Sequence, residues 1–197
     1  MKTKLMLLLL FYLITNYSKA QDLEIGGYAR NYTGLIYESS DFAVLQNTFN
    51  LEFGTTGNKV GFSANPILYH YNSDSLNLQL RELYLDFYFK NFDIRIGKQQ
   101  IVWGKADGVF ITDVISPLDL SEFLLPDFEE IRIGVNAARI DYYIGNNTFE
   151  FIWLPEFTSV RMPSESSIWY SQPDFVIDPT FDWSKSDVDL SFENSEF

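Results

Sequence analysis

Residues 87–96 read Phe87-Tyr88-Phe89-Lys90-Asn91-Phe92-Asp93-Ile94-Arg95-Ile96. On either side of Lys90 and Asn91, apolar residues recur at every second position, which predicts β-strands with one apolar face. Two residues between such runs suit a tight antiparallel connection, and asparagine tolerates a left-handed backbone. We therefore predict a β-hairpin here, and the same alternation can be followed outward in both directions.

The preceding residues show the alternation with one interruption. Leucines at 76, 78 and 80 share one face, and the apolar set then moves by one position to 83, 85, 87 and 89, which predicts a β-bulge near Arg81–Glu82. Further strands are predicted from the remaining alternating runs and turn residues. They lie within 22–38, at 45–53 before a turn at 54–58, from 60 until Pro66, at 131–143, and at 148–154 after a turn at 145–147, which makes seven or so strands.

The two faces of these strands differ in chemistry, since one is apolar and aromatic and the other carries Gln, Asn, Asp, Glu and Arg. A soluble β-sandwich turns its apolar face inward, whereas a membrane barrel turns it outward. Short turns near Asn91 and Gly145 contrast with long connections at 103–130 and 155–190, as in outer-membrane barrels. Aromatic residues at strand ends suit the membrane interface: Tyr84, Tyr88, Trp103, Tyr142, Tyr143 and Trp153. We expect an all-β fold, an antiparallel transmembrane β-barrel with long acidic loops, of which this chain is the N-terminal half.

The first twenty residues predict export. Lys2 and Lys4 precede an apolar run from Leu5 to Ile14, and small residues at Ser18 and Ala20 form a cleavage site. We expect residues 1–20 to be a signal peptide cleaved after Ala20, and residues 21–197 to belong to one barrel domain of the bacterial outer membrane. Cleavage would lower the net charge from −13 to −16, which argues against a nucleic-acid partner. The chain has no cysteine, which excludes disulfides and thiolate sites.

Several motifs between residues 81 and 157 resemble a family of porin-like bacterial outer-membrane proteins. They are Arg81–Asp86, Gly97–Gly104, Asp113–Leu120, Glu129–Arg132 and Trp153–Phe157. Within them, Gly97, Gln99, Trp103, Gly104, Pro117 and Asp119 are the motif residues. The family usually has Arg where this chain has Lys98, and a Gly-Arg-Gln motif on a strand is similar to one in alginate-export barrels. The resemblance covers about 77 of the 197 residues and implies an outer-membrane barrel about twice this length, without implying a solute.

The connection at 106–130 is rich in carboxylates, contains no Lys or Arg and is interleaved with apolar residues. Folded into a barrel lumen, it would bury the apolar groups and present acids to the channel, which favours cations. The candidate acidic residues are Asp107, Asp113, Asp119, Glu122, Asp127, Glu129 and Glu130. The candidate basic pore-lining residues are Arg81, Arg95, Lys98, Lys105, Arg132 and Arg139. Two other interpretations stay open: a solvated surface loop, and acids and bases that pair with each other and fill the lumen.

The sequence contains none of the common catalytic or metal-binding motifs, so we expect no enzyme activity, no metal site and no cofactor. The predicted function is passage of a small solute, with outer-membrane lipid and the barrel-assembly machinery as partners. The alternatives are a soluble exported β-sandwich that binds or hydrolyses glycans, and a closed structural or adhesive barrel. Because an incomplete barrel exposes unpaired backbone to lipid, we expect these 197 residues alone not to insert stably.

Overall fold

The computed structural model describes residues 23–37, 42–71, 75–103, 114–122, 125–127, 130–165 and 167–170. Within these ranges the chain forms a single antiparallel sheet in which each strand pairs with the next along the chain. Its seven strands are β1 (Glu24–Leu35), β2 (Phe42–Thr56), β3 (Val60–Tyr71), β4 (Leu76–Tyr88), β5 (Phe92–Gln99), β6 (Val135–Ile144) and β7 (Asn147–Trp153). The prediction of an all-β antiparallel fold is therefore confirmed.

Two of the hairpins are closed by short turns where the sequence predicted them. Between β4 and β5, the Phe89 amide donates to the Phe92 carbonyl over 3.0 Å. Between β6 and β7, Gly145 adopts a left-handed backbone with φ +59°, which glycine adopts without steric cost. The register of β4 against β5 pairs Asp86 with Arg95, so the two side chains share a face.

The predicted bulge is present, because the register of β3 against β4 shifts at Asn65/Pro66 and leaves Arg81 without an opposite residue. Two predicted boundaries were wrong. β3 does not stop at Pro66 but continues to Tyr71, since the irregular pairing tolerates a residue that lacks an N–H. β2 continues through Thr56, inside the predicted turn, because its last residues pair with β3.

The start of β6 also differs from the prediction, which placed a strand from Ile131. Residues 131–133 pair instead with residues 117–119: the Asp119 amide donates to the Ile131 carbonyl over 2.6 Å, and the Ile133 amide donates to the Pro117 carbonyl over 2.8 Å. The Arg161 backbone lies on the other side of residues 118–120. The described parts of residues 114–134 thus form a separate layer, which we call the covering segment.

The covering segment lies on the polar face of the sheet, so that the buried residues of β2 are polar. Gln46 and Asn50 are 2% and 1% exposed, whereas Phe49 and Leu51 on the opposite face are 50% and 49% exposed. The same apolar face continues across the sheet through Leu83, Leu85, Ile96, Ile140, Phe149 and Phe151. The sheet is therefore inverted relative to a soluble sheet, in which the covered face is the apolar one.

A small apolar core lies where the covering segment meets the last strands. It is formed by Ile101, Val135, Ala137, Ile152 and Leu154, with Ile115 packed against it. Ser116 helps to hold the segment there, because its hydroxyl accepts a hydrogen bond of 2.8 Å from the Ile101 amide.

The sheet is not closed into a barrel, since β1 pairs only with β2 and β7 only with β6 among the described residues. In that part of the chain there is no helix with the length and apolar composition needed to cross a membrane.

Candidate functional site

The candidate site lies between the polar face of the sheet and the covering segment, and its strongest contact involves β1. Tyr28, Arg30 and Tyr32 alternate with other residues along β1, so they lie on one face. Arg30 Nη2 and Nη1 donate to the two Glu130 carboxylate oxygens over 2.6 and 3.0 Å, and the Tyr28 hydroxyl donates to the same carboxylate. The Arg30 guanidinium also lies 5.1 and 4.8 Å from the ring centroids of Tyr28 and Tyr32. A bidentate pair of this kind fixes both the position and the orientation of the carboxylate.

Two further hydrogen bonds attach the covering segment to the first two strands. Gln46 Nε2 donates to Glu122 Oε2 over 2.8 Å, and the Tyr32 hydroxyl donates to the Leu125 carbonyl over 2.7 Å. All these donors lie on the covered face of β1 and β2. The covering segment is therefore held over β1 and β2 by polar contacts.

The two glutamates of the segment have pKa values shifted in opposite directions. Burial raises the pKa of the Glu122 carboxyl, and the hydrogen bond from Gln46 only partly opposes this. Burial would also raise the pKa of Glu130, but the hydrogen bonds from Arg30 and Tyr28, with the charges of Arg30 and Arg81, outweigh it and lower that pKa. Glu130 is therefore stabilised as a carboxylate in the folded chain, whereas Glu122 is not.

Asp119 connects the covering segment to the residues that follow β7. Its carboxylate accepts a hydrogen bond of 3.1 Å from Arg161 Nη1 and another from the Ser121 amide. The backbones of residues 118–120 and Arg161 are also hydrogen-bonded. Asp119 thus holds both the local turn at Ser121 and the guanidinium group of Arg161.

The charges on the later strands pair within the sheet. Arg95 donates to both carboxylate oxygens of Asp86, over 2.7 and 3.1 Å, and its guanidinium lies 4.0 Å from the ring centroid of Tyr84. Arg139 lies 2.9 Å from Asp141 and 3.3 Å from Glu150. These groups stabilise one another on the polar face.

A cavity of about 90 Å³ lies where the covering segment approaches the sheet. Strands β1 to β5 and the segment all contribute to its walls. Its charged lining residues are Arg30, Arg81, Lys98, Arg132, Arg161, Asp119, Glu122 and Glu130. Three tyrosines, Tyr32, Tyr69 and Tyr71, line it as well. The cavity is therefore a narrow, highly charged space with aromatic walls.

The structure brings together about half of the residues that the sequence nominated as pore-lining. Around this cavity lie three of the nominated acids and three of the nominated bases: Asp119, Glu122, Glu130, Arg81, Lys98 and Arg132. Asp127 is 3.6 Å from Arg30, but its side chain is 80% exposed. Arg95 and Arg139 lie away from the cavity in the strand pairs described above. Four nominated residues lie outside the described part of the chain: Asp107, Asp113, Glu129 and Lys105.

Most of the motif residues make contacts that stabilise the fold and do not line the cavity. Gly97 has φ +131°, and Gln99 is fully buried with its Nε2 donating to the Ala137 carbonyl over 3.2 Å. Trp103 donates from Nε1 to Glu150 over 2.8 Å. The Pro117 carbonyl accepts from Ile133, and Gly104 lies outside the described residues.

The sequence did not identify several residues that form the site. They are Tyr28, Arg30, Tyr32, Gln46, Tyr69, Tyr71 and Arg161. The pattern Tyr28-x-Arg30-x-Tyr32 was a usable signal, because a charged residue between two aromatics on one strand face predicts a cation–π cluster. Among the described residues, no group of three or more His, Cys, Asp or Glu side chains is placed to hold a metal ion.

Comparison with known proteins identifies one family. The family model described as Protein of unknown function (DUF1302) matches residues 16–184, which is most of the chain. No curated protein and no solved structure matches it.

Proposed function

This chain belongs to the DUF1302 family of proteins of unknown function, and we propose that it forms part of a porin-like β-barrel channel for a small solute in the bacterial outer membrane. The observation that carries the proposal is the inverted sheet, with its apolar face exposed and its polar face covered. The same proposal includes that the chain is similar to porin-like and alginate-export barrels. It also includes that the chain is exported and cleaved after Ala20.

The exposed apolar face is unfavourable in water and favourable in lipid. Leu83, Leu85 and Phe151 are each between 43% and 51% exposed. Each Å² of apolar surface transferred out of water contributes roughly 25 cal/mol, so a whole face of such residues favours a lipid environment strongly. Scattered exposed leucines are ordinary on soluble proteins, but a continuous apolar face opposite buried polar residues is not.

The strands have the arrangement that a membrane barrel needs. Sequential antiparallel neighbours satisfy the backbone hydrogen bonds between strands, which lipid requires. β1, β2, β3, β4 and β6 contain 10 to 15 residues, and a tilted crossing takes about 9–11. β5 and β7 are shorter, with 8 and 7 residues. Among the described residues β1 and β7 are the edges of the sheet, so a closed barrel would pair a strand with each of them, and insertion would use the barrel-assembly machinery.

The first test is where the full-length protein resides and whether it conducts. We expect it in the outer-membrane fraction, extracted only by detergent, with migration on gels that changes on heating and with ion conductance in planar bilayers. Recovery from the periplasm without detergent would support the soluble sandwich instead. A detergent-extracted barrel without conductance would support the structural or adhesive barrel.

A pair of variants on β4 tests the environment of the apolar face directly. Leu85→Arg places a charge on that face, which costs about 2–4 kcal/mol near the middle of a bilayer and little in water. Asn77→Arg places the same charge on the polar face of the same strand and is the matched control. We expect Leu85→Arg alone to reduce the amount of folded protein in the membrane, and equal behaviour of the two variants would contradict a lipid-facing surface.

A further inference from the structure

One part of the covering segment reaches over the first strands as an arm. The backbone of residues 117–119 pairs with residues 131–133, so both ends of the stretch between them are fixed. Within that stretch, the Leu125 amide donates to the Glu122 carbonyl over 2.8 Å. We call its described residues, 120–122, 125–127 and 130, the arm. The arm is therefore a loop with local turns that projects from a fixed base.

The arm is attached to the strands below it by hydrogen bonds and ion pairs. Its main contacts are those of Glu130 with Arg30, of Glu122 with Gln46, and of the Leu125 carbonyl with Tyr32. None of the arm's described residues belongs to the apolar core, which packs against Ile115 in another part of the covering segment. Water can replace these polar partners when the arm moves away, whereas separating the core would expose apolar surface. The arm is therefore the part of the covering segment that can move while its base stays in place.

The polar face between these attachment points contains buried groups without a partner. Thr48 follows Gln46 on the covered face of β2 and lies opposite Arg30 on β1, and Asn50 is the next residue on that face. Thr48 and Asn50 are each 1% exposed. Among the described residues, the Thr48 hydroxyl, both polar side-chain atoms of Asn50 and Nε of Arg30 have no hydrogen-bond partner. Water would satisfy all four atoms, so their burial opposes the closed position of the arm.

We propose that the arm is a lid over β1 and β2, which the Arg30–Glu130 pair holds closed and which opens about its base. In the closed position the contacts of the arm are made, and the polar atoms of Thr48 and Asn50 have no partner. In the open position those contacts are lost, and water reaches the same polar atoms. The two effects oppose each other, so the loss of one strong contact shifts the balance toward the open position. In the proposed channel the lid would control access to the polar face; this role rests on the proposed function, whereas the movement itself does not.

Two carboxylates of the arm face Arg30, and they differ in burial. The Glu130 side chain is 12% exposed and accepts hydrogen bonds from both Nη atoms of Arg30 and from the Tyr28 hydroxyl. The Asp127 side chain is 80% exposed and lies 3.6 Å from the same guanidinium. Water and salt screen an exposed pair, which therefore contributes little, whereas a bidentate pair shielded from water is strong. Glu130 is therefore the residue that holds the lid closed, and Asp127 provides a matched control.

Cysteine labelling of the full-length protein measures the opening directly. The 197 residues contain no cysteine, so Thr48→Cys places a single thiol in this part of the protein. Because Thr48 is 1% exposed, a maleimide should react there only when the arm is open, at a rate proportional to the open fraction. Adding Glu130→Gln should raise that rate at least about tenfold, which corresponds to about 1.4 kcal/mol. An unchanged rate would overturn the lid.

Two controls separate opening of the arm from general loosening of the fold. Asp127→Asn should leave the labelling rate of Thr48→Cys nearly unchanged. The thiol of Ala137→Cys lies in the apolar core and should react slowly with or without Glu130→Gln. Equal acceleration at the two thiols would indicate unfolding of the sheet and would overturn the lid. If Glu130→Gln does not fold, Tyr28→Phe removes one hydrogen bond to the same carboxylate and should raise the rate by a smaller factor, and no rise there would also overturn the lid.

Planar bilayers then distinguish the lid from the channel. Arg30→Cys with Glu130→Cys removes the ion pair, and a flexible bis-methanethiosulfonate reagent joins the two thiols and holds the arm closed. We expect the conductance of this variant to fall when the reagent is added and to recover on reduction. Conductance that the reagent does not change, or conductance combined with an unresponsive Thr48→Cys thiol, overturns the lid as a gate and leaves the channel. Labelling that responds to Glu130→Gln, without conductance in any variant, supports the lid and contradicts the channel.

Discussion

The covering segment is attached to the sheet in two chemically different ways. Over β1 and β2 it is held by Glu130, Glu122 and the Leu125 carbonyl, through hydrogen bonds and an ion pair. Next to β6 and β7 it is held by apolar packing around Ile101 and Ile115 and by an uncharged hydrogen bond from the Ile101 amide to the Ser116 hydroxyl. Apolar packing does not depend on charge, whereas the polar contacts place charged groups around the cavity of about 90 Å³ and respond to pH. The following predictions test that difference.

The largest effect is expected at Gly97, which lies on β5 between the two regions and pairs with Tyr84 on β4 and Ala137 on β6. A Cβ atom here would lie 2.3 Å from the Leu83 carbonyl oxygen, and φ is +131°. Gly97→Ala should therefore lower the free energy of unfolding by at least about 3 kcal/mol, measured by urea titration of the folded gel species. Gly54→Ala is the control, since its nearest contact would be 3.7 Å, and it should change stability by under about 1 kcal/mol. Equal losses in the two variants would contradict this account.

The next effect concerns the apolar packing that holds the covering segment next to β6 and β7. Ile101 is 1% exposed in the core, so Ile101→Ala should lower the free energy of unfolding by about 2–5 kcal/mol through lost packing and a cavity. The neighbouring Val102 is 46% exposed, and Val102→Ala should change it by under about 0.5 kcal/mol. Urea titrations at two ionic strengths would measure both. If the loss at Ile101 depended strongly on salt, charged groups would contribute to this attachment.

A smaller effect is expected for the polar attachment. Glu130→Gln removes the carboxylate of a half-buried bidentate pair and leaves Arg30 facing only the exposed carboxylate of Asp127, which should cost about 1–3 kcal/mol. Asp127→Asn removes a carboxylate that also faces Arg30 but is largely exposed, and should cost under about 0.5 kcal/mol. A double-mutant cycle with Arg30→Gln measures the coupling directly. Absence of coupling between Arg30 and Glu130 would show that the pair does not hold the segment.

The smallest effect is a difference in pH dependence between the two glutamates. The folded-state pKa of Glu130 is lowered, so its stabilising contribution is present above the ordinary glutamate pKa and is lost as pH falls through the lowered value. The folded-state pKa of Glu122 is raised, so the folded chain loses stability as pH rises from the ordinary value through the raised one. Unfolding free energies measured against pH should show the wild type losing its advantage over Glu130→Gln in acid and gaining relative to Glu122→Gln in acid. Parallel curves for the two variants would contradict the assignment.

The alternation of apolar and polar residues predicted the strands correctly where the pairing in the sheet follows the same alternation. The β4–β5 hairpin and the bulge at Arg81 followed from alternation, because a slip of one residue moves a whole apolar set to the other face. The strand end predicted at Pro66 was wrong. Proline usually ends a strand, but here β3 continues past it, because Pro66 pairs only with β4 and residues 67–70 pair with both β2 and β4.

The candidate site was only partly accessible from the sequence. Glu122 and Glu130 were identified because their acidic segment stands out, but their partners Gln46 and Arg30 lie 76 and 100 residues away. Ile131 and Ile133 alternate like strand residues, but they are buried within the covering segment, where their backbones pair with residues 117–119 and not with the sheet. These long-range contacts depend on which surfaces of the folded chain meet. The local periodicity of the sequence does not contain that information.

The sequence by itself determined that this chain forms β-strands with one apolar and one polar face, since the side-chain period of a strand is two whatever the strand packs against. It also determined the hairpin, the bulge and an acidic segment with interleaved apolar residues. Only the tertiary structure decided which face is covered, because alternation is identical for inward and outward apolar faces. The covering segment lies on the polar face, since its glutamates find arginine, tyrosine and glutamine donors there. Leu51, Leu85 and Phe151 are left exposed on the other side.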